Sequence, residues 1–291
     1  MKQVILIMGI LSFFGCKSQK NNKPNFEKLT PELKIKLRQE LKTDSNKNFS
    51  SEFKRTTNLE NKIISNYGYE GIKLLFEYRN SENYYKLGEF PKNSPWIKLN
   101  NKSINEFISE NFSPLSTKIP NLIASIKERC KFIYLEKREH DWHLHYLMEM
   151  KLHDGRDYYR VYTGGTPLLN PNPNKSLAKY NWNIPTDLKK FYTIHNGFGE
   201  VYDAYYVMAN EDIKIMAELM DPICEEQNSY PEGYTFKELL EFFPDGGGNA
   251  QCFYRNKRNL TVDWDHEVWE ISGEIGFYEF INERMAEIDE E

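Results

Sequence analysis

Three clusters in this 291-residue chain hold the residue types that chemistry needs. The first is His140, His143 and His145. In a strand, His143 and His145 fall on one face, and paired imidazoles suit zinc or copper. No carboxylate or cysteine stands at a matching offset. The alternation around the histidines gives a plainer reading, the solvent face of a half-buried strand, so no metal and no cofactor are expected. The second cluster, Asp263-Trp264-Asp265-His266-Glu267, sets a histidine among carboxylates, as general acid–base hydrolysis requires. Neighbours on a strand or turn point apart, however, so these groups do not converge by themselves. The third, Gly246-Gly247-Gly248, has the freedom to wrap a phosphate. A phosphate loop needs a following Gly-Lys-Ser/Thr and a helix, whereas here Asn249 and a strand pattern follow. A turn with close backbone approach is expected instead. With no nucleophile elbow and no zinc-protease motif, no catalytic residue is assigned.

The elements that carry these clusters follow from periodicity. Trp142, Leu144, Tyr146, Met148 and Met150 alternate with His143, His145, Leu147 and Glu149, which predicts a strand with the first set facing a core. Asp154-Gly155 turns the chain, Tyr158 to Thr163 returns, and Phe132 to Leu135 supplies a third strand. Upstream, Thr30-Pro31 opens a charged surface helix. A second helix is expected to end near Ile64. The aromatic runs Tyr69 to Tyr78 and Asn83 to Leu87 read as a hairpin. Helices are expected over Ser103 to Phe112 and Ile119 to Arg129. Gly164 to Asn183, rich in Gly, Pro and Asn, is placed as a domain edge, although the preceding strands are free to extend the sheet beyond it.

After this edge the pattern is regular. Pro185 opens a helix bearing Leu188, Phe191 and Tyr192, which Asn196-Gly197 is expected to end. Tyr202, Ala204, Tyr206 and Met208 alternate as a strand. Asn210 is placed to cap a helix carrying Ile213, Met216, Ala217 and Met220. Ala250 to Tyr254, Leu260 to Trp264 and Val268 to Ile271 form a meander. Ile275, Tyr278, Ile281, Met285 and Ile288 recur as a closing helix.

Hydrophobic residues make up 40% and charged residues 28% of the chain, which fits a folded protein rather than a disordered one. The net charge of −5 hides a division. From Ile184 onward there are 24 Asp and Glu against 8 Lys and Arg, while the preceding part holds 30 basic and 19 acidic residues. The two parts either attract each other, present ordinary solvated faces, or offer an acidic surface to a basic partner. Nucleic acid is not expected as a ligand of the acidic part, because phosphate binding needs clustered Lys and Arg. The spacings of Cys16, Cys130, Cys224 and Cys252 match no zinc pattern, and the odd number left without Cys16 argues for buried thiols.

Met1 to Gly15 reads as a targeting segment: Lys2, then an apolar run from Val4 to Phe14 too short to span a bilayer. Gly15-Cys16 resembles the lipobox of bacterial lipoproteins, with Phe13 and Phe14 departing from its usual residues. An ordinary signal peptide with an incidental cysteine is the other reading. The polar run through Pro24 reads as a tether.

The order of three clusters carries a family resemblance. They are Ile184-Pro185-Thr186-Asp187-Leu188 through His195-Asn196-Gly197, then Phe242-Phe243-Pro244-Asp245-Gly246-Gly247-Gly248-Asn249, then Val262-Asp263-Trp264-Asp265-His266-Glu267 with the helix of Phe277, Tyr278, Phe280 and Ile281. The last third of the chain resembles a Smi/Knr-like domain of the SUKH superfamily. The resemblance implies an α+β fold with helices around a mainly antiparallel sheet, and a non-enzymatic protein-binding module, in many bacterial members an immunity protein that neutralises a toxin. The expected organisation is a signal peptide over residues 1–15, a tether over 16–27, a smaller α+β region of no recognised family over 28–165, and the Smi/Knr-like domain over 184–291. The expected partner is a protein, with a basic toxin as the first case. Asp245, Asp263, Asp265, Glu267 and Glu270 are the expected contact residues, and Cys16 is the expected lipidation site, holding the chain at the cell envelope outside the cytoplasm. An envelope scaffold or cell-wall-associated lipoprotein is the alternative function, and a cytoplasmic chain the alternative location.

Overall fold

A computed structural model describes residues 29–44, 58–78, 83–138, 140–151, 157–200, 205–227, 233–255 and 259–285, with residues 155, 230 and 257 between them. The leader and tether lie outside the described residues, as do Asp154, Tyr202, Ala204 and Ile288. Among the described residues no helix is long and apolar enough to cross a membrane.

Two helices come first, α1 (Pro31–Asp44) and α2 (Asn58–Tyr78). Thr30 Oγ1 accepts from the Leu33 N–H at 3.2 Å, the cap its position predicts. α2 corrects the expected hairpin. Residues 69–78 are helical, and Ile64, Ile72 and Leu75 stack on one buried side. Gly68, at φ 51, kinks the helix so that both halves follow the sheet beneath. The strand β1 (Tyr84–Lys86) pairs with β2 (Cys130–Arg138), across Tyr84–Glu136 and Tyr85–Leu135.

α3 (Ile104–Asn111) opens on a capping box in which Ser103 N–H donates to Glu106 Oε2 at 2.9 Å and Glu106 N–H donates back to Ser103 Oγ at 3.4 Å. α4 (Pro120–Arg129) buries Leu122, Ile123 and Ile126 as expected. β2, β3 (Asp141–Lys151) and β4 (Asp157–Gly165) then form an antiparallel meander.

The segment expected as a domain edge lies inside one sheet. It holds α5 (Lys175–Lys179) and leads to α6 (Thr186–Tyr192), which ends at Thr193. Asn196-Gly197 opens β5 (Asn196–Glu200) instead of closing the helix. β5 pairs with β4 across Thr163–Gly199 and Gly164–Phe198, and with β6 (Tyr205–Val207) on its other side. The first sheet therefore runs β1-β2-β3-β4-β5-β6 across the edge.

The second sheet, ordered β11-β10-β9-β8-β7, is also antiparallel. It comprises β7 (Lys214–Ile215), β8 (Leu239–Pro244), β9 (Ala250–Tyr254), β10 (Leu260–Asp265) and β11 (Glu270–Gly276). α7 (Ala217–Gln227) lies between β7 and β8, and α8 (Phe277–Arg284) follows β11. Asn210 does not cap a helix over Ile213 and Met216; its amide instead donates to Asn172 O at 3.1 Å, and the chain passes through β7 first. The sheets join where Met208 N–H donates to Phe242 O at 2.8 Å.

The fold is α+β, with eight helices around two antiparallel sheets among the described residues. One core runs from Phe90 to Met285 and includes both sides of the expected edge: Phe112, Tyr146 and Tyr162 with Phe191, Phe198, Phe242 and Phe277. Asn282 of α8 accepts from the Asn121 and Leu122 N–H groups at 2.7 and 3.3 Å, so the last helix satisfies the open first turn of α4. A separate layer packs α1 and α2 on the far face of β2–β4 through Leu41, Ile63, Ile72, Leu147 and Val161.

Candidate functional site

The far face of β3 is where the first expectation fails. His143 and His145 are buried, because α2 covers the face that alternation assigned to water. His145 lies 2.9 Å from Thr163 Oγ1 and 3.1 Å from Glu136 Oε2, and its ring stacks on Tyr134. Arg138 Nε donates to the same carboxylate oxygen at 2.9 Å, and Tyr84 OH donates to Oε1 at 2.7 Å. Burial alone would raise the Glu136 carboxyl, but Arg138 and His145 hold it well below the usual carboxylate range. This is a satisfied ionic network. Among the described residues no group of three or more His, Cys, Asp or Glu is placed to hold a metal ion. Cys130, Cys224 and Cys252 are free and buried.

The second sheet builds an open site. β8 ends at Pro244, and the side chain of Asp245 then organises the glycine turn. Its Oδ1 accepts from the N–H groups of Gly247, Gly248 and Asn249 at 2.7, 3.0 and 3.0 Å. Gly248, at φ 118, lies so close to His266 that an added Cβ would sit 2.9 Å from the ring. Asn249 Oδ1 accepts from His266 N–H at 3.0 Å and lies 2.8 Å from its Nδ1. The His266 ring is therefore held by Asn249. The acid–base arrangement considered for this stretch does not form, and the turn cradles a histidine where a phosphate was considered.

β10 carries Asp263 opposite Gln251 of β9 and Ser272 of β11. Asp263 is exposed at its tip but crowded at its base. Partial desolvation, then the negative charges of Asp265 and Asp245, raise its pKa, with Arg284 opposing. Three of the five expected contact residues thus share one field. Asp245 and Asp263 line a groove of about 570 Å³ between the sheet and α8. Its floor is apolar, from Phe243, Ile275 and Phe280, and its rim adds Glu274, Glu279 and Arg284. Four carboxylates in the lining against Arg284, and Lys257 paired with Glu274 beside it, leave this concavity acidic.

Asp265, Glu267 and Glu270 sit at the end of the β10–β11 hairpin, outside the groove lining. Asp265 Oδ1 accepts from Glu267 and Val268 N–H at 2.8 and 3.3 Å and so shapes the turn, while Glu267 and Glu270 are exposed. The reading of the sequence missed Glu274 and Glu279. Their signal was present, since Glu274 stands between the half-buried Ile271 and Ile275 of the last strand and Glu279 between the buried Tyr278 and Ile281 of the last helix. The pairing of β11 with β10 brings Glu274 to the groove, and the packing of α8 brings Glu279.

Residues 176–287 match the SMI1 / KNR4 family (SUKH-1). The matched span begins in α5, takes in α6 and the second sheet, and closes after α8, so the whole groove lies inside it. Searches of the curated proteins and of the solved structures gave no match.

Proposed function

We propose that this chain is an immunity-type protein that binds a basic protein toxin in the acidic groove of its second sheet. The match to the SMI1 / KNR4 family suggests a protein-binding module of this kind. The observation that carries the reading is the groove itself, an apolar floor of Phe243, Ile275 and Phe280 ringed by Asp245, Asp263, Glu274 and Glu279. An apolar centre with a charged rim is the layout of a protein interface, and an acidic rim steers a basic partner toward it. The reading is non-enzymatic, and the family match supports it.

The groove reading is tested by reversing its charge. With Asp263→Lys and Glu279→Lys combined, affinity for a basic protein captured by the native chain is expected to fall about thirtyfold, as roughly 1 kcal/mol per lost charge pair implies. Unchanged affinity would move the interface elsewhere.

The location completes the reading: a lipid on Cys16, with the tether, places the groove outside the cytoplasm. Its support is the Gly15-Cys16 pair behind an apolar run. Labelled fatty acid is expected in the native chain and absent from Cys16→Ser; equal labelling, or none in either, refutes the anchor.

A further inference from the structure

We propose that β11 is a docking edge, which takes up an extended, lysine- or arginine-bearing segment of the partner as an added strand. The inference rests on the acidic-groove reading and names how the partner enters that site. Three observations carry it. β11 ends the second sheet, bonded to β10 on one side, with no strand beyond it among the described residues. It is also the longest edge strand described. Its seven residues compare with three each in β1 and β6 and two in β7, the other sheet ends. Finally, Glu270, Ser272, Gly273 and Glu274 are exposed, and Gly273 and Glu274 line the groove next to Ile275 of its floor.

A long open edge invites pairing, and proteins that leave one usually blunt it with charge or a bulge. Both devices are present. Register shifts between Thr261 and Asp263, and Gly273 takes a left-handed φ of 59 opposite that shift. The charges are all of one sign, Glu270 and Glu274. In antiparallel pairing a second copy of β11 would set glutamates among glutamates, whereas a segment carrying Lys or Arg meets opposite charges. Glu274 already holds Lys257 in an ion pair, with both side chains well exposed. An exposed pair of this sort contributes little and is exchangeable for a partner's cation. A strand laid against β11 turns every second side chain toward the groove face, where Asp263 and Asp245 follow Glu274. The edge would supply main-chain hydrogen bonds and the carboxylates the choice of sequence, as in other strand-addition interfaces.

The test uses the full-length protein and three synthetic nine-residue peptides: lysine alternating with valine or threonine, the same peptide N-methylated at alternate residues along one edge, and a version with glutamate for lysine. Fluorescence anisotropy gives affinity, and amide hydrogen exchange gives location. The lysine peptide is expected to bind and to slow exchange over residues 270–276 by about tenfold or more. N-methylation is expected to weaken binding about tenfold, the loss of roughly one to two hydrogen bonds. The glutamate peptide is expected not to bind. The combined Glu270→Lys and Glu274→Lys variant is expected to weaken the lysine peptide by a similar factor. Equal binding of the methylated peptide, with protection at Asp245 and Glu279 but not over 270–276, overturns strand addition and leaves the acidic groove standing. If no lysine peptide binds while a captured basic protein still loses affinity for the groove variant, strand addition again fails alone. If neither responds, both readings fail. Protection of 270–276 that rises with protein concentration and needs no peptide identifies a second copy as the occupant and overturns the charge argument.

Discussion

His195 shows how much one buried polar residue can decide. Its Nε2 lies 3.0 Å from both Tyr146 OH and Asn111 Nδ2, and Asn111 Oδ1 accepts from Trp96 Nε1 at 3.1 Å. These groups come from the loop before α3, from α3 itself, from β3 and from the residue before β5, so the hub ties the two expected domains together. Burial holds the imidazole pKa down to about 3, the Gly165 backbone opposing weakly. The ring is thus neutral when folded. Unfolded histidine titrates near 6.5, so between these values the unfolded chain binds the extra proton. Stability from this site is whole above about pH 6.5 and is lost as pH falls toward 3, by up to about 1.4 kcal/mol per pH unit. Urea unfolding of wild type and His195→Gln should show a free-energy gap that narrows by about this amount per unit below pH 6.5. A gap constant with pH contradicts a neutral buried ring. Gly164 packs on the same imidazole, and an added Cβ would sit 2.2 Å from Nδ1. Gly164→Ala should therefore cost about 1–3 kcal/mol, the usual range for overpacking, and lower the melting temperature.

At the scale of elements, Gly68 sets the outer layer. It lies at φ 51 with the Tyr159 ring 2.6 Å from an added Cβ, so any side chain there is both strained and crowded. Gly68→Val is expected to loosen α1 and α2, seen as faster amide exchange in those helices, while β8–β10 keep their protection. Uniform loosening would mean that the layer and the main core unfold together. This element also marks where the sequence stopped being legible. α3, α4 and the β3–β4 hairpin were readable because local periodicity agreed with the fold: Ile104, Phe107 and Ile108 at helical spacing, Leu122, Ile123 and Ile126 likewise, and strict alternation from Trp142. Residues 69–78 were not, because aromatic content favours strands while Ile72, Leu74, Leu75 and Phe76 satisfy either period. His143 and His145 were misplaced for a related reason. Alternation identifies two faces of a strand, but whether the second meets water depends on α2, which is remote in sequence.

Among the described residues one main core is shared by two sheets, and a second, smaller cluster lies under α1 and α2. The prolines and glycines after β4 resembled a boundary because local composition reports backbone freedom, and it carries no information about which strands pair across a loop. Since β5 pairs with β4 and Phe198 packs on Phe112, Tyr146 and Tyr162, the fragment 184–291 should not fold alone. Circular dichroism and urea titration should show a broad, weak transition instead of the cooperative one of the full chain; a cooperative transition would restore the boundary. The groove was half legible. Asp245 and Asp263 stand out beside the glycine turn and the tryptophan, whereas Glu274 joins them through the pairing of β11 with β10 and Glu279 through the docking of α8.

The central claim is that this groove holds a basic protein partner. Its most direct test is parallel capture from native cells and medium with the full-length chain and with the Asp263→Lys, Glu279→Lys variant, followed by mass spectrometry and salt-dependent affinity for whatever is captured. The account predicts one basic protein, retained by the native chain, lost by the variant and weakened as salt rises. Equal capture by both chains, or capture of envelope proteins through residues 29–165, would contradict it.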